Sequence, residues 1–218
     1  MDRIKQLCSY LTACESFADV ACDHGYIAEY MLKNRLCSNV VVSDISLKCL
    51  NKAQELLTEY IKLGLCHSVC CDGLEKIEPE TQCVVIAGIG GEEIIRILKD
   101  GFIPKTFLFQ PMKNAEKMRA FLIENGCYIE KDDIFNDGAN YYFVIQGRRG
   151  EAQNYDDIQL KYGKDSLHNP VFYEFLEKEI LKKRAYLSGN LSSKSRNIID
   201  KQIKQMEGIL KSEIKRNT

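Results

Sequence analysis

The stretch Phe17-Ala-Asp-Val-Ala-Cys-Asp-His-Gly-Tyr-Ile27 decides how this chain folds. An apolar run ends in a turn of acidic and small residues, and a helical pattern follows at once. A strand, a turn and a helix in this order bring backbone N–H groups and a helix N-terminus close to a ligand. The framework Asp19-x-Ala21-x-Asp23-x-Gly25 carries acids where a pyrophosphate-binding loop carries glycines. It therefore suits a cationic ligand without phosphate, and an ordinary βα turn is the alternative.

Short apolar runs alternate with helical patterns over the first two thirds of the chain, which predicts a parallel sheet covered on both faces. Asn136-Asp-Gly-Ala-Asn140 joins the last two strands as a hairpin, so the last strand should run antiparallel. Ser46 is the predicted cap of the second helix, and Gly126 is the predicted left-handed residue after the fourth. The predicted strands are 17–21, 40–43, 68–71, 83–87, 106–110, 127–135 and 141–147, and the predicted helices are 26–33, 47–63, 91–99 and 115–125.

The pattern changes after residue 150, where the sheet domain, 1–150, is predicted to end. Residues 151–169 are polar and irregular and read as a linker. Apolar residues then recur at helical spacing from Phe172 to Leu187 and from Ile199 to Ile214, with Gly189-Asn190 between them. This predicts a coiled-coil-like α-helical hairpin over 170–218. A helix pair that only stabilises the sheet domain is the alternative.

The net charge of −1 hides an asymmetry. From Lys178 to Thr218 the chain has eleven Lys/Arg and four Asp/Glu, which leaves a net charge of −8 on the remainder. A basic tail on an acidic body indicates a polyanionic partner, and a solvated lysine-rich helix face is the alternative. The candidate contact residues are Lys182, Lys183, Arg184, Lys194, Arg196, Lys201 and Lys204.

The ten cysteines are scattered, and most lie in apolar stretches where Cys serves as a small hydrophobic residue. The first residues lack the apolar core of a signal peptide, so we expect a reduced, cytoplasmic protein. No apolar run is long enough to span a bilayer, so we expect no membrane partner. Cys66-His67-x-x-Cys70-Cys71 is followed by no second ligand pair, so we expect core packing there and no metal.

Ligands of an open parallel sheet bind at the carboxyl ends of its strands. Acidic residues follow each of the first three predicted strands, and a glycine-rich turn follows the fourth. Asp44 suits vicinal hydroxyl groups, because a carboxylate accepts several hydrogen bonds. His24 reads as a hydrogen-bonded loop residue or a general base, and the glycines as a tight turn or as backbone beside a flat substrate. These strand-end residues are Asp23, His24, Gly25 and Tyr26; Asp44; Asp72 and Gly73; Ala87, Gly88, Gly90 and Gly91; and Gln110.

Four motifs together resemble one known family. Ala18–Ile27, Cys71-Asp-Gly-Leu74, Ile86-Ala-Gly-Ile-Gly-Gly91 and Phe109-Gln-Pro111 are similar to those of the bacterial tRNA (adenine(22)-N1)-methyltransferases, the TrmK family. The similarity is close over residues 1–150 and extends in outline to the tail. It implies an α/β, Rossmann-like class I methyltransferase sheet of seven strands, the last antiparallel, with a C-terminal α-helical hairpin. It also implies S-adenosyl-L-methionine (SAM) as cofactor and methyl transfer to N1 of adenosine 22 in tRNA.

The resemblance also implies roles for individual residues. Asp44 would hold the ribose, Asp72 and Gly73 the adenine, and Ala87, Gly88 and Gly90 would line the methyl-transfer side. The chemistry of the reaction adds candidate catalytic residues: Asp23 would stabilise the cationic product, and Gln110 and the Gly88–Gly91 backbone would read the edge of the target base. Ala21 stands where a glycine is common, and Met112 stands where the family often has Asn, although Asn114 is close by. The implied cofactor-binding residues are Asp19, Asp23, His24, Gly25, Tyr26, Asp44, Ile45, Asp72, Gly73, Ala87, Gly88 and Gly90.

Other functions stay open at the level of sequence. A SAM-dependent enzyme could act on another RNA or on a non-RNA acceptor, although the basic tail argues against a small molecule. A non-catalytic SAM-binding or RNA-binding module would not need every strand-end acid. An NAD-dependent oxidoreductase would need the G-x-G-x-x-G loop, which this sequence lacks.

Overall fold

The computed structural model of the protein describes residues 2–151, 153–189 and 191–216, without the side chains of 213–216. Asn190 of the expected helix break and the Ile214 side chain therefore lie outside the described residues. The chain divides into two compact units, 1–167 and 168–218. The strands are β1 (Phe17–Val20), β2 (Val40–Asp44), β3 (Cys66–Cys70), β4 (Cys83–Ile89), β5 (Thr106–Pro111), β6 (Cys127–Asn136) and β7 (Tyr141–Arg149). The helices are α1 (Arg3–Cys8), α2 (Tyr26–Lys33), α3 (Leu47–Leu56), α4 (Thr58–Lys62), α5 (Gly91–Asp100), α6 (Ala115–Glu124), α7 (Asp157–Tyr162), α8 (Pro170–Leu187) and α9 (Ser193–Arg216).

The described strands form one seven-stranded sheet in the order β3-β2-β1-β4-β5-β7-β6. The first five strands pair in parallel, and β7 lies antiparallel between β5 and β6. The predicted Rossmann-like sheet with an antiparallel last strand is confirmed. The order steps outward from β1 in both directions, so the chain reverses its winding between β1 and β4. A crevice forms at such a switch point, beyond the carboxyl ends of these strands.

The two faces of the sheet carry separate hydrophobic clusters, as expected of a parallel sheet covered by helices. Successive side chains of a strand point to opposite faces. Phe17 accordingly belongs to one cluster, and Ala18 and Val20 belong to the other. Asp19 shares the face of Phe17 and is only 3% exposed. Strand β1 therefore places a carboxylate in the core near its carboxyl end.

The structure corrects one helical prediction and adds one helix near the start of the chain. The predicted helix 47–63 is two helices, α3 and α4, interrupted at the buried Leu57. The hydroxyl group of Thr58 donates to the carbonyl oxygens of Gln54 and Glu55, and such a bond bends a helix locally. Helix α1 was not predicted at all. The N-cap of α3 is confirmed, because the Ser46 hydroxyl accepts a hydrogen bond from the Cys49 N–H at 3.3 Å.

The segment 151–169 is more regular than its polar sequence indicates. It contains α7, which begins with a capping box formed by Asp156 and Gln159, and a 3-10 turn at Ser166–His168. The wholly buried Arg119 of α6 donates to the carbonyl oxygens of Leu160 and Lys161, both at 3.1 Å. These hydrogen bonds tie most of the segment to the first unit, whose boundary falls after residue 167.

Helices α8 and α9 pack against each other as the hairpin that the sequence predicts. Arg196 near the start of α9 donates to the carbonyl oxygen of Leu187 at the end of α8. Further along, Lys183 donates to the Gln202 side chain at 2.8 Å, so the two helices run antiparallel. Among the residues that the structure describes, none of the helices combines the length and the apolar character that spanning a membrane requires.

Candidate active site

A cavity of about 410 Å³ lies at the carboxyl ends of β1, β2 and β4. Its volume falls within the range of small-molecule sites. The cavity, called the cleft below, brings together most of the residues that the sequence predicted for the site. Residues of the unpredicted helix α1, Arg3 and Ile4, also line it. The predicted residues in its lining are Asp19, Asp23, His24, Tyr26, Asp44, Ile45, Ala87 and Gly88.

Asp44 is fixed by backbone donors on both of its carboxylate oxygens. The Asp23 N–H donates to Oδ2 at 3.1 Å, and the Ser46 N–H donates to Oδ1 at 2.8 Å. An ionised carboxylate has about four acceptor positions, so two remain for a ligand. Because the side chain is buried and held from two sides, it presents those positions in one orientation. This arrangement fits two vicinal hydroxyl groups.

The loop after β1 holds this geometry through an unusual backbone. Ala21 and Asp23 adopt positive φ angles of 57° and 46°, which cost non-glycine residues about 1–3 kcal/mol each. Gly25 follows with φ 73°, and its absent Cβ would lie 3.0 Å from the Cβ of Ala53. The strained turn aims the Asp23 N–H at the Asp44 carboxylate. Strain of this kind is typical of ligand-binding loops.

The Asp23 carboxylate has two nitrogen-bearing side chains as neighbours, Lys52 and His24. Lys52 Nζ lies 2.9 Å from Oδ1, and His24 Nδ1 lies 2.7 Å from Oδ2. Lys52 first, and His24 after it, hold the pKa of Asp23 below its usual range, so this carboxylate is ionised. His24 has the hydrogen bond of a loop histidine, and its ring stacks on that of Tyr26 at a centroid distance of 5.3 Å. Tyr26 is half exposed at the mouth of the cleft.

Asp19 is the electrostatically unusual residue of the cleft. Burial raises the pKa of its carboxyl group to about 7, and the negative charge of Asp44 adds to the effect. The Ala28 N–H, in the first turn of α2, donates to Oδ2 at 3.3 Å and opposes this rise. Because the pKa of this buried carboxyl group lies near neutral pH, a cation bound beside it would favour the ionised form.

Asp72 and Gly73 lie apart from the cleft. They line a second cavity of about 180 Å³ together with residues of α5. The Asp72 carboxylate accepts a hydrogen bond from Arg96 Nη2 at 2.7 Å. Gly73 faces Ile97, and a Cβ at this glycine would lie 2.8 Å from that side chain. The pairing with Arg96 and the outer position of β3 both keep these two residues away from the other predicted ligands.

The glycines at the end of β4 and the start of α5 make room for other side chains, and Gly88 lies within β4, at a register shift between Ala87 and Ile89. Gly88 has φ 83°, and a Cβ there would lie 3.1 Å from Arg3 Nη1. Gly90 faces Lys113 outside the cleft lining. Gln110 is wholly buried beside Ala87 in the sheet, and its Oε1 accepts a hydrogen bond from Arg3 Nη1 at 2.8 Å.

Sequence reasoning missed Arg3 because it missed α1. Apolar residues recur there at helical spacing, at positions 4, 7, 8 and 11, and that signal would have found the helix. In the part of the chain that the structure describes, no cluster of His, Cys, Asp or Glu is arranged to hold a metal ion.

A family model described as a methyltransferase domain matches residues 1–145 of the chain, which include every residue of the cleft. This protein belongs to the methyltransferase domain family. Its cleft therefore occupies the sheet edge of a methyltransferase domain.

Relatives of this methyltransferase domain agree with the resemblance that the motifs indicated. A Mycoplasma pneumoniae protein is 29% identical over 181 residues, which cover 82% of each chain. The tRNA (adenine(22)-N(1))-methyltransferase of Bacillus subtilis is 26% identical over 170 residues, covering 74% of this chain and 70% of the relative. The structure of M. capricolum TrmK in complex with S-adenosyl-homocysteine has a TM-score of 0.85 at 20% identity and covers 95% and 96% of the two chains. The last comparison confirms the fold.

Proposed function

We propose that this protein is a SAM-dependent methyltransferase that modifies N1 of an adenine, adenosine 22, in tRNA. The observation that carries the proposal is the acid-lined cleft of Asp19, Asp23 and Asp44 in a methyltransferase domain. The B. subtilis relative bears the name of this activity. Because its substrate is tRNA, the enzyme would act in the cytoplasm.

The donor set of the cleft fits SAM. The two open acceptor positions of Asp44 suit the ribose hydroxyl groups, and the exposed side chain of the next residue, Ile45, offers an apolar contact for adenine. Asp19 and Asp23 supply negative charge for the cationic methionine portion. When bound, SAM supplies a methyl group activated by a positively charged sulfur. Asp72 and Gly73 would contact the adenine only if the Arg96 ion pair opens.

The chain's own residues have a limited set of chemical tasks. Adenine N1 carries a free in-plane lone pair, so no general base has to remove a proton. Much of the rate then comes from alignment of that lone pair with the methyl group. The ionised Asp23 would stabilise the positive charge that develops on the base, and Gln110 and the Gly88 backbone would hold the base edge. The base must first be extracted from the folded RNA, at a cost of a few kcal/mol.

The direct test is mass spectrometry of nucleosides from a tRNA transcript incubated with the protein and SAM. We expect 1-methyladenosine in a transcript with adenosine at position 22, and none in the matched transcript with guanosine there. Methyl transfer to another acceptor, with none to tRNA, would favour the other-acceptor alternative. SAM binding without transfer even in a single turnover would favour a binding module. Tight binding of NAD instead of SAM would exclude a methyltransferase.

The helical hairpin of α8 and α9 would supply phosphate contacts. Four of its predicted basic residues already have partners within the hairpin: Lys182, Lys183, Arg184 and Arg196. Lys194, Lys201 and Lys204 are exposed, and none of the three forms a hydrogen bond or an ion pair with another described residue. We propose these three lysines as the principal phosphate contacts of the hairpin.

Replacing Lys194, Lys201 and Lys204 with Gln tests this role. Loss of three phosphate contacts is expected to reduce the slope of log K against log salt by about 2–3, with SAM affinity unchanged. A matched control replaces the exposed lysines at 33, 105 and 131, which lie on the first unit. Equal losses of tRNA affinity in both triple variants would remove the hairpin from the binding surface.

A further inference from the structure

Arg3 reaches the cleft from α1, and the function proposed above gives it no role. The residue stands one helical turn before Leu7, which is wholly buried. Residues four apart lie on the same face of a helix, so the core contact of Leu7 turns Arg3 toward the protein as well. The guanidinium group also lies 5.9 Å from the centre of the Tyr142 ring. Its place on the buried face of α1 and the contact with the Tyr142 ring therefore hold Arg3 beside the cleft.

The guanidinium group fixes the orientation of a buried amide. Arg3 Nη1 lies 2.8 Å from Oε1 of the wholly buried Gln110. Because a guanidinium group can only donate, the amide oxygen and not the nitrogen must face it. Gly88 permits this approach, since a Cβ at that position would lie 3.1 Å from the same nitrogen. The amide of Gln110 is thereby held in one of its two possible orientations.

The other half of the amide is held only weakly. Gln110 Nε2 lies 3.4 Å from Sδ of Met112, a poor acceptor on a flexible, half-exposed side chain. The amide oxygen keeps a second lone pair beside the one that Arg3 occupies. If Met112 moves aside, Gln110 presents one acceptor and one donor in a known order. A glutamine amide pairs in this way with N6 and N7 of adenine.

We propose that Arg3 is a positioning residue that orients Gln110 to read the N6 and N7 edge of the target adenine. Met112 covers the amide until the base enters. Recognition at N6 and N7 leaves N1 free to face the methyl donor, whereas recognition at N1 would block the reaction. A rotated amide would present its donor to the N6 amino group and its acceptor to N7, and both contacts would be repulsive. The inference rests on the proposed function.

The test compares tRNA transcripts that carry adenosine or 7-deazaadenosine at the target position. The second base lacks N7 but keeps N1 and N6. The change also alters the reactivity of N1. The measured quantity is therefore the kcat/KM for the adenosine transcript divided by the kcat/KM for the 7-deazaadenosine transcript. This ratio is determined for each variant and compared with that of the wild type. Arg3→Met removes the donors and keeps an apolar stem. We expect it to lower the ratio by roughly 2- to 10-fold, the value of one hydrogen bond, and to lower kcat.

Three further variants make the result specific. Gln110→Leu should lower the ratio as Arg3→Met does, and Arg3→Lys should restore part of it because it keeps one donor. Calorimetry checks that each variant is folded, because a folded variant should keep the wild-type Kd for SAM. If Arg3→Met does not fold, Arg3→Lys provides the measurement in its place. Lys5→Met is the matched control, because Lys5 is exposed on the same helix. It should leave the ratio unchanged.

The possible results separate two failures. A wild-type ratio that persists in Arg3→Met or Arg3→Lys and in Gln110→Leu overturns the positioning role while methyl transfer to tRNA stands. If the wild-type protein methylates neither transcript, the proposed function itself fails, and the role of Arg3 fails with it.

Discussion

The buried carboxyl group of Asp19 should make the stability of the protein depend on pH in an unusual direction. Its pKa is raised from 3.8 to about 7 in the folded protein. Between about pH 4 and pH 7 the unfolded chain has lost this proton while the folded protein retains it. The folded state therefore binds more protons, and the contribution of Asp19 to stability falls as pH rises through this range. Above pH 7 both states are ionised, and the full loss persists.

Asp19→Asn removes the titration while an amide oxygen can still accept from the Ala28 N–H. Each unit of pKa corresponds to about 1.4 kcal/mol, so the shift amounts to about 4 kcal/mol at pH 8. Solvent screens little of this, because the side chain is only 3% exposed. We expect the variant to be more stable than the wild type by up to about 4 kcal/mol at pH 8, and nearly equal to it at pH 4. For a chain of this size that is roughly a 10 °C difference in Tm.

Urea and thermal unfolding of both proteins from pH 4 to 8.5, without cofactor, would measure the difference. Comparing the two proteins cancels the other titrating groups that they share. SAM binding gives a second measurement, because a cation beside Asp19 favours its ionised form. Wild-type affinity for SAM should rise from pH 6 to 8 more steeply than that of Asp19→Asn. A difference in stability that does not vary with pH would refute the reasoning.

Two further substitutions address the cofactor site and the fold. Asp44→Asn should weaken SAM binding, measured by calorimetry, by at least about tenfold, because it removes a charge-assisted acceptor. An unchanged Kd would contradict the assignment of Asp44 to the cofactor. Asp157→Asn, which changes an exposed carboxylate, is the control. Arg119→Met should lower the free energy of unfolding by about 3–5 kcal/mol, because it leaves the wholly buried Asp132 carboxylate without its partner. The exposed ion pairs of Arg148 should contribute less than about 1 kcal/mol, so Arg148→Met is the control, and equal denaturation midpoints for the two variants would count against this reasoning.

The sequence by itself determined the order of the seven strands, most of the helices between them and the edge of the sheet at which the cleft lies, although it missed α1 and α7. Alternating apolar runs, the cap at Ser46 and the hairpin before Tyr141 are local signals, because spacing between near neighbours sets them. The acids at the strand ends followed from the same pattern, since parallel strands present their carboxyl ends at one edge. Asp23 and Asp44 accordingly share the cleft.

Only the tertiary structure decided which of these groups meet and what charge they carry. Arg3 and Gln110 are 107 positions apart, and the packing of α1 on the core brings them within 2.8 Å. Asp72 pairs with Arg96 of α5 and lies outside the cleft lining. Burial raises the pKa of Asp19, whereas Lys52 and His24 lower the pKa of Asp23, four residues further along the chain. These residue pairs and this pKa shift depend on how whole elements pack and how far they exclude water. The spacing of residues along the sequence does not determine either.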